Sequence, residues 1–143
     1  MAEESTDILE RLIDIYKNDL EIAECSFEIM GKLLDKACLK KRIDQWNVKK
    51  LYIYGGGYLG IHFYQACDHL LEIPAVVDKQ GCLQLGIGEI PVIRPRQLQK
   101  IYDQELIVVA SVRYYQEIKR DLVSFVPESK IVFLGEFLEG MIS

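Results

Sequence analysis

The sequence predicts an α/β fold: a parallel sheet of about five strands, in the order 3-2-1-4-5, flanked by helices and preceded by a helical segment. Three observations predict it. From Lys49 onward, short apolar runs alternate with helix-like stretches, the pattern of βαβ crossovers and a parallel sheet. A glycine cluster, Gly55–Gly60, falls between the first apolar run and the first of those helix-like stretches. Before Lys49 the texture differs: residues 1–47 hold no proline and a single glycine, Gly31, and their apolar residues recur at three and four, which is one face of a helix. The expected organisation is therefore a helical arm over 1–47 and the sheet domain over 48–143.

Ile8, Leu12, Ile15, Tyr16, Leu20, Ala23 and Phe27 begin the helical stripe, and Met30, Leu33, Leu34 and Ala37 continue it. Two helices, or one long and one short, are expected to end near Trp46. Asp7, with Glu10 three residues on, forms a capping-box pattern for the first helix. Gly31 either interrupts the helix or sits inside it. So wide an apolar stripe needs burial against something. Two readings stand: a packed stripe beside a solvated polar face, or an arm that pairs with another copy or with a partner protein.

Within 48–143, LYIY (51–54) is the first strand and a helix from about Leu59 to His69 follows. IPAVV (73–77) and IPVI (90–93) are the second and third strands, with Pro91 near the start of its strand, where a missing N–H is tolerated. A short helix spans Pro95–Tyr102. LIVVAS (106–111) is the fourth strand, Tyr114–Phe125 a helix and KIVFL (130–134) the fifth strand, with a last helical turn after Gly135.

Composition narrows the function. The formal net charge is −5, which argues against a nucleic-acid binder, since that needs a basic face. It does not argue against a small nucleotide held by a few backbone N–H groups. No apolar run is long enough to span a bilayer, and the acidic start MAEESTDILERL is neither a signal nor a transit peptide. Cys25, Cys38, Cys67 and Cys82 are scattered, with no C-x-x-C pair, so reduced thiols in a cytoplasmic protein are expected rather than a disulfide framework. His62 and His69 do not combine with them into a metal site.

The segment LYIYGGGYLGIHF contains G-x-G-x-x-G as Gly55, Gly57 and Gly60, directly after a strand and opening a helix. Gly55 permits the tight turn, Gly57 lets the backbone approach a phosphate, and Gly60 lets the helix pack closely on the sheet. The helix N-terminus, at Gly56–Leu59 with Tyr58, offers unpaired N–H groups and partial positive charge to the anion. Asp78 ends the second strand about twenty residues on, where a carboxylate accepts hydrogen bonds from a ribose 2′-hydroxyl. It disfavours a 2′-phosphate, although Lys79 softens that repulsion; the alternative role of Asp78 is to cap the following turn. This is the pattern of a Rossmann-like nucleotide-binding domain, and an NAD-like dinucleotide or a nucleotide-sugar is the expected ligand.

Ser111 and Arg113 follow the fourth strand at the mouth of the same cleft. Ser111 either donates to a phosphate or sugar or caps the next helix; Arg113 either clamps a phosphate or is a surface charge. The loop QGCLQLGIGEIP (80–91) is glycine-rich and placed to fold over a ligand. His62, Tyr58 and Tyr115 are the only acid–base candidates for the cleft. Tyr115 and Lys119 form Y-x-x-x-K, which supplies acid and lysine in short-chain dehydrogenases, but this chain is much shorter and the two residues simply share a helical face.

The run YGGGYLG, then AVVDKQ, then the glycine loop with EIPVI, then ELIVVAS and YYQEIKRDL, resembles the Rossmann-like modules of bacterial surface-carbohydrate pathways. Examples are the N-terminal domains of sugar acetyltransferases of the sialic-acid O-acetyltransferase type and the C-terminal domains of sugar C-methyltransferases. The resemblance covers roughly 50–135 and implies that Gly55, Gly57, Gly60 and Asp78 bind a nucleotide or nucleotide-sugar. The hexapeptide repeats of the first family and the methyl-donor domain of the second are absent from this sequence. Three functions are therefore weighed: a binding module acting with a partner or as a dimer, a small nicotinamide-dependent or sugar-modifying enzyme, and an interaction protein with a vestigial cleft.

Overall fold

A computed structural model of the chain describes residues 2–55, 57–80 and 90–139. Gly56 and residues 81–89, with Cys82 and most of the glycine loop, lie outside the described residues. The sheet is all-parallel with strand order β3-β2-β1-β4-β5. Its strands are β1 (Leu51–Tyr54), β2 (Val76–Val77), β3 (Val92–Ile93), β4 (Leu106–Val109) and β5 (Ile131–Phe133). The helices are α1 (Ala2–Leu34), α2 (Lys36–Trp46), α3 (Tyr58–Cys67), α4 (Pro95–Ile101), α5 (Tyr115–Leu122) and α6 (Leu134–Glu139). Fold class and strand order are those the sequence predicts.

All four residues of β1 and of β4 are buried, as expected for strands covered on both faces. Leu51 and Ile53 face a core shared with α1, α2, α3 and α6, while Tyr52 and Tyr54 face a second core shared with α4 and α5. Phe63, Phe137, Leu39 and Leu98 are among the fully buried side chains, each stabilising the fold by about 1.5–3 kcal/mol relative to exposure. The outer strands are shorter than the apolar runs suggest. β2 and β3 each keep two residues; Pro91 has no N–H for the ladder and contributes only its carbonyl, which accepts from the Val76 N–H (3.0 Å).

The helical segment corrects one expectation. α1 already runs from Ala2, so Asp7 is not its cap; it lies within the helix, with its carboxylate 3.1 Å from Arg11 one turn on. Gly31 sits inside α1, and the break falls at Asp35. Its Oδ1 accepts from the Cys38 N–H (3.1 Å), capping α2, and Asn47 closes α2 in the left-handed region (φ 52°). α2 is fastened to α6: the Trp46 indole N–H donates to the Phe137 carbonyl (2.9 Å), and the two rings stack at 5.3 Å. Arg42 donates to the Leu138 carbonyl (3.0 Å). Through Ile29, Leu33, Leu39 and Ile43, the helical segment enters the main core.

Candidate functional site

The chain leaves β1 for β2 on one side and β4 for β5 on the other, so strand order reverses between β1 and β4. Such a switch point opens a crevice beyond the carboxyl ends of the strands. Here the crevice is a cleft of about 1100 Å³. Tyr54, Gly55, Ala110 and Ser111 form its floor, held together by hydrogen bonds from Gly55 N–H to Val77 O and from Ala110 N–H to Tyr54 O, both 2.8 Å.

The glycines divide their work. Gly55 has φ +121°, a region that L side chains rarely adopt. Gly60 is buried, and a Cβ there would overlap the Gly55 carbonyl oxygen; it seats α3 against the turn and does not line the cleft. Gly57 is the N-cap of α3, with extended backbone and no side-chain cap, and a Cβ added to it would meet nothing within 4 Å. The amino end of α3 therefore opens into the cleft with no side chain of its own cap, and among the described residues nothing stands against the Cβ position of Gly57. Tyr58, 73% exposed, and Leu59 stand on the first turn, and His62 is half-buried one turn on, all three lining the cleft.

Asp78 lies across the floor, half-buried, with its Oδ1 accepting from the Gln80 N–H (2.8 Å). The carboxylate thus caps its turn while lining the cleft. Ser111 Oγ likewise accepts from the Tyr114 N–H (3.1 Å) in the turn that leads to α5. Arg113 lines the cleft with its guanidinium engaged, 2.8 Å from Asp19 of α1. That hydrogen bond, with the charge of Asp19, raises the already high pKa of Arg113.

Several cleft residues carry no sequence signal of the glycine-motif kind. Ile22, Ala23, Phe27 and Met30 of α1, with Ser26 among them, form a mostly apolar wall of the same cleft as the α3 terminus. Opposite, Lys79 lies 3.6 Å from Glu117 and 3.9 Å from Asp121. Burial pushes the Tyr54 phenol up to about 12, with Asp121, Asp78 and Glu117 adding to the shift, so the neutral, hydrogen-bond-donating form is favoured. The signal for Glu117 and Asp121 is positional: they share a helix face at i, i+4 on the first helix after β4, which must flank a switch-point cleft. The α1 wall could be found only by asking what the helical stripe packs on.

Tyr115 stands apart from this group. Its ring meets Phe133 edge-on at 5.2 Å, beside Cys25, Lys119 and Glu136 and outside the main cleft. Burial pushes its phenol up, against the opposing pull of Lys119, and Lys119 itself is 3.1 Å from Glu128. Among the described residues, no group of three or more His, Cys, Asp or Glu could hold a metal ion, and no helix is long and apolar enough to cross a membrane.

Fold and cleft together define the class: an α/β protein with a parallel sheet flanked by helices and a crevice at its switch point. Comparison with protein-family models and with curated proteins gives no match that would narrow the class further.

Proposed function

We propose that the chain is a nucleotide- or nucleotide-sugar-binding Rossmann-like module, with the phosphates at the amino end of α3 and the sugar toward Asp78. The observation that carries this reading is the open α3 terminus at Gly57, aimed into a cleft at the β1/β4 switch point. A helix start with unpaired N–H groups attracts an anion through hydrogen bonds and the helix dipole. The rest of the lining suits a sugar: Asp78, Glu117 and Asp121 accept from hydroxyls, and Tyr54 and Ser111 can donate. A bridge to carbohydrate biosynthesis rests on the sequence resemblance, and so does action beside a catalytic partner.

Gly57→Asp tests this directly. The position is open and its φ of −80° suits any residue, while Asp is a good N-cap. The variant should therefore fold at least as well as the wild type, yet place a carboxylate where the phosphate would lie. In a thermal-shift screen of NAD, NADP, UDP-, GDP- and dTDP-sugars and CoA, a ligand at about 100 times its Kd stabilises by about 2.7 kcal/mol. The expected result is a shift with wild type and none with Gly57→Asp. No shift with any ligand, or an equal shift in both proteins, overturns the reading.

A further inference from the structure

α1 carries two apolar stripes. One turns into the core, where Ile29 and Leu33 are buried. The other steps by four and three without interruption: Leu9, Ile13, Tyr16 and Leu20, then Ala23, Phe27, Met30 and Leu34. That is the spacing of a coiled-coil seam. Among the described residues it is largely uncovered: Tyr16 is 70% and Phe27 79% exposed, Leu9, Ile13, Leu20 and Leu34 are exposed as well, and only Met30 is half-buried, where the seam meets the core. Before Ile22, the α1 side chains from Thr6 onward are all exposed. The second half of the seam adjoins the cleft, which Ala23, Phe27 and Met30 help to wall.

We infer that the occupant of this seam is a second copy of the chain, its α1 running antiparallel. The N-terminal half of each α1 then lies on the C-terminal half of the other, along the lip of the other's cleft. Three features select this occupant. The two halves of the seam are equal in length, four apolar residues each, so a two-fold pairing leaves none unmatched. The charges beside the seam select the direction. Glu10, Lys17 and Glu24 each follow a seam residue on the same flank, and antiparallel helices bring like flanks together. The register that packs Leu20 on Ala23 of the second copy, and Phe27 on its Tyr16, also sets Lys17 beside its Glu24, twice by symmetry. A parallel pair would instead set Glu24 beside Asp19 of the second copy, like against like. Finally, the seam's large side chains each expose on the order of 100 Å², so the face approaches the roughly 800 Å² per partner of a standard interface. The inference needs only α1 and stands apart from the nucleotide reading.

Sedimentation equilibrium of the full chain tests it. The wild type should be a dimer, and Leu20→Glu with Phe27→Glu a monomer of unchanged far-UV circular dichroism. Lys17→Glu and Glu24→Lys should each weaken the dimer by about fivefold to tenfold, and the two together should restore it. A monomeric wild type, a dimer that survives Leu20→Glu with Phe27→Glu, or a dimer tightened by Glu24→Lys alone would each overturn the proposal, the last by showing parallel helices.

Discussion

Gly60 packs so tightly on the carbonyl of Gly55 that a Cβ on Gly60 would overlap the carbonyl oxygen. Two glycines five residues apart thus lock the turn from β1 into α3, while a Cβ on Gly57 between them would meet nothing within 4 Å among the described residues. The same motif contains one position where glycine is a packing requirement and one where it leaves space.

Alanine substitutions should separate the two. Gly60→Ala must push α3 away from the sheet, and a loss of about 2–4 kcal/mol in urea unfolding is expected, the scale of overpacking with backbone displacement. Gly57→Ala should change stability by less than about 1 kcal/mol, because its backbone is ordinary and no described residue stands within 4 Å of the added Cβ.

The Arg113–Asp19 pair spans the cleft wall at 2.8 Å with both side chains about half exposed. Exposed pairs contribute roughly 0–1 kcal/mol, so Asp19→Asn should leave stability nearly unchanged. It should, however, release the guanidinium toward the cleft. Under the nucleotide reading, titration calorimetry should then give tighter binding of a diphosphate ligand, by a factor of about five, with a steeper dependence on salt.

Cys67 is fully buried and donates to the Phe63 carbonyl, and burial pushes its thiol up to about 12 from the ordinary 9.0. A folded-state pKa above the unfolded value means that the stabilisation is complete below pH 9 and is lost as pH rises toward 12. Urea midpoints should therefore fall from pH 9 upward, and less steeply in Cys67→Ala. At pH 8 a thiol reagent should reach the half-buried Cys25 and Cys38 well before Cys67 in the native protein.

Trp46 is the only tryptophan, and its ring lies on Phe137 while its N–H holds the Phe137 carbonyl. Phe137→Ala should cost about 3–5 kcal/mol and leave a cavity beneath the indole. Trp46 emission should shift red in the folded variant, reporting α2 loosened from α6.

Legibility in the sequence followed the strength of local physics. Strand order and helix placement could be read because β1 and β4 are unbroken apolar runs and the glycine turn marks the first crossover. The helix break at Asp35 was harder, since a single capping carboxylate decides it and Gly31 is the more conspicuous breaker. The cleft was half legible. Gly55, Gly57, Tyr58, Leu59, His62, Asp78, Ser111 and Arg113 do converge on it, because the topology carries the ends of β1, β2 and β4 to one edge. Gly60 supports from behind, and Tyr115 points elsewhere because it lies two residues before Glu117, on the opposite side of the helix from the Glu117–Asp121 face. The engagement of Arg113 by Asp19 joins residues 94 positions apart, and the α1 wall depends on tertiary packing of α1 beside α3; no local pattern encodes either.

The pairing of β1 with β4 has a kinetic meaning. Leu51 meets Leu106 and Tyr54 meets Val109, so the cleft floor joins segments separated by most of the domain. Closing so long a loop is a non-local step with an entropic cost. The amide of Ala110, bonded to Tyr54, should therefore exchange with deuterium only through global opening, whereas the first turns of α1 exchange by fraying. Any ligand seated on that floor would accordingly recognise the finished fold and ignore partly folded chains.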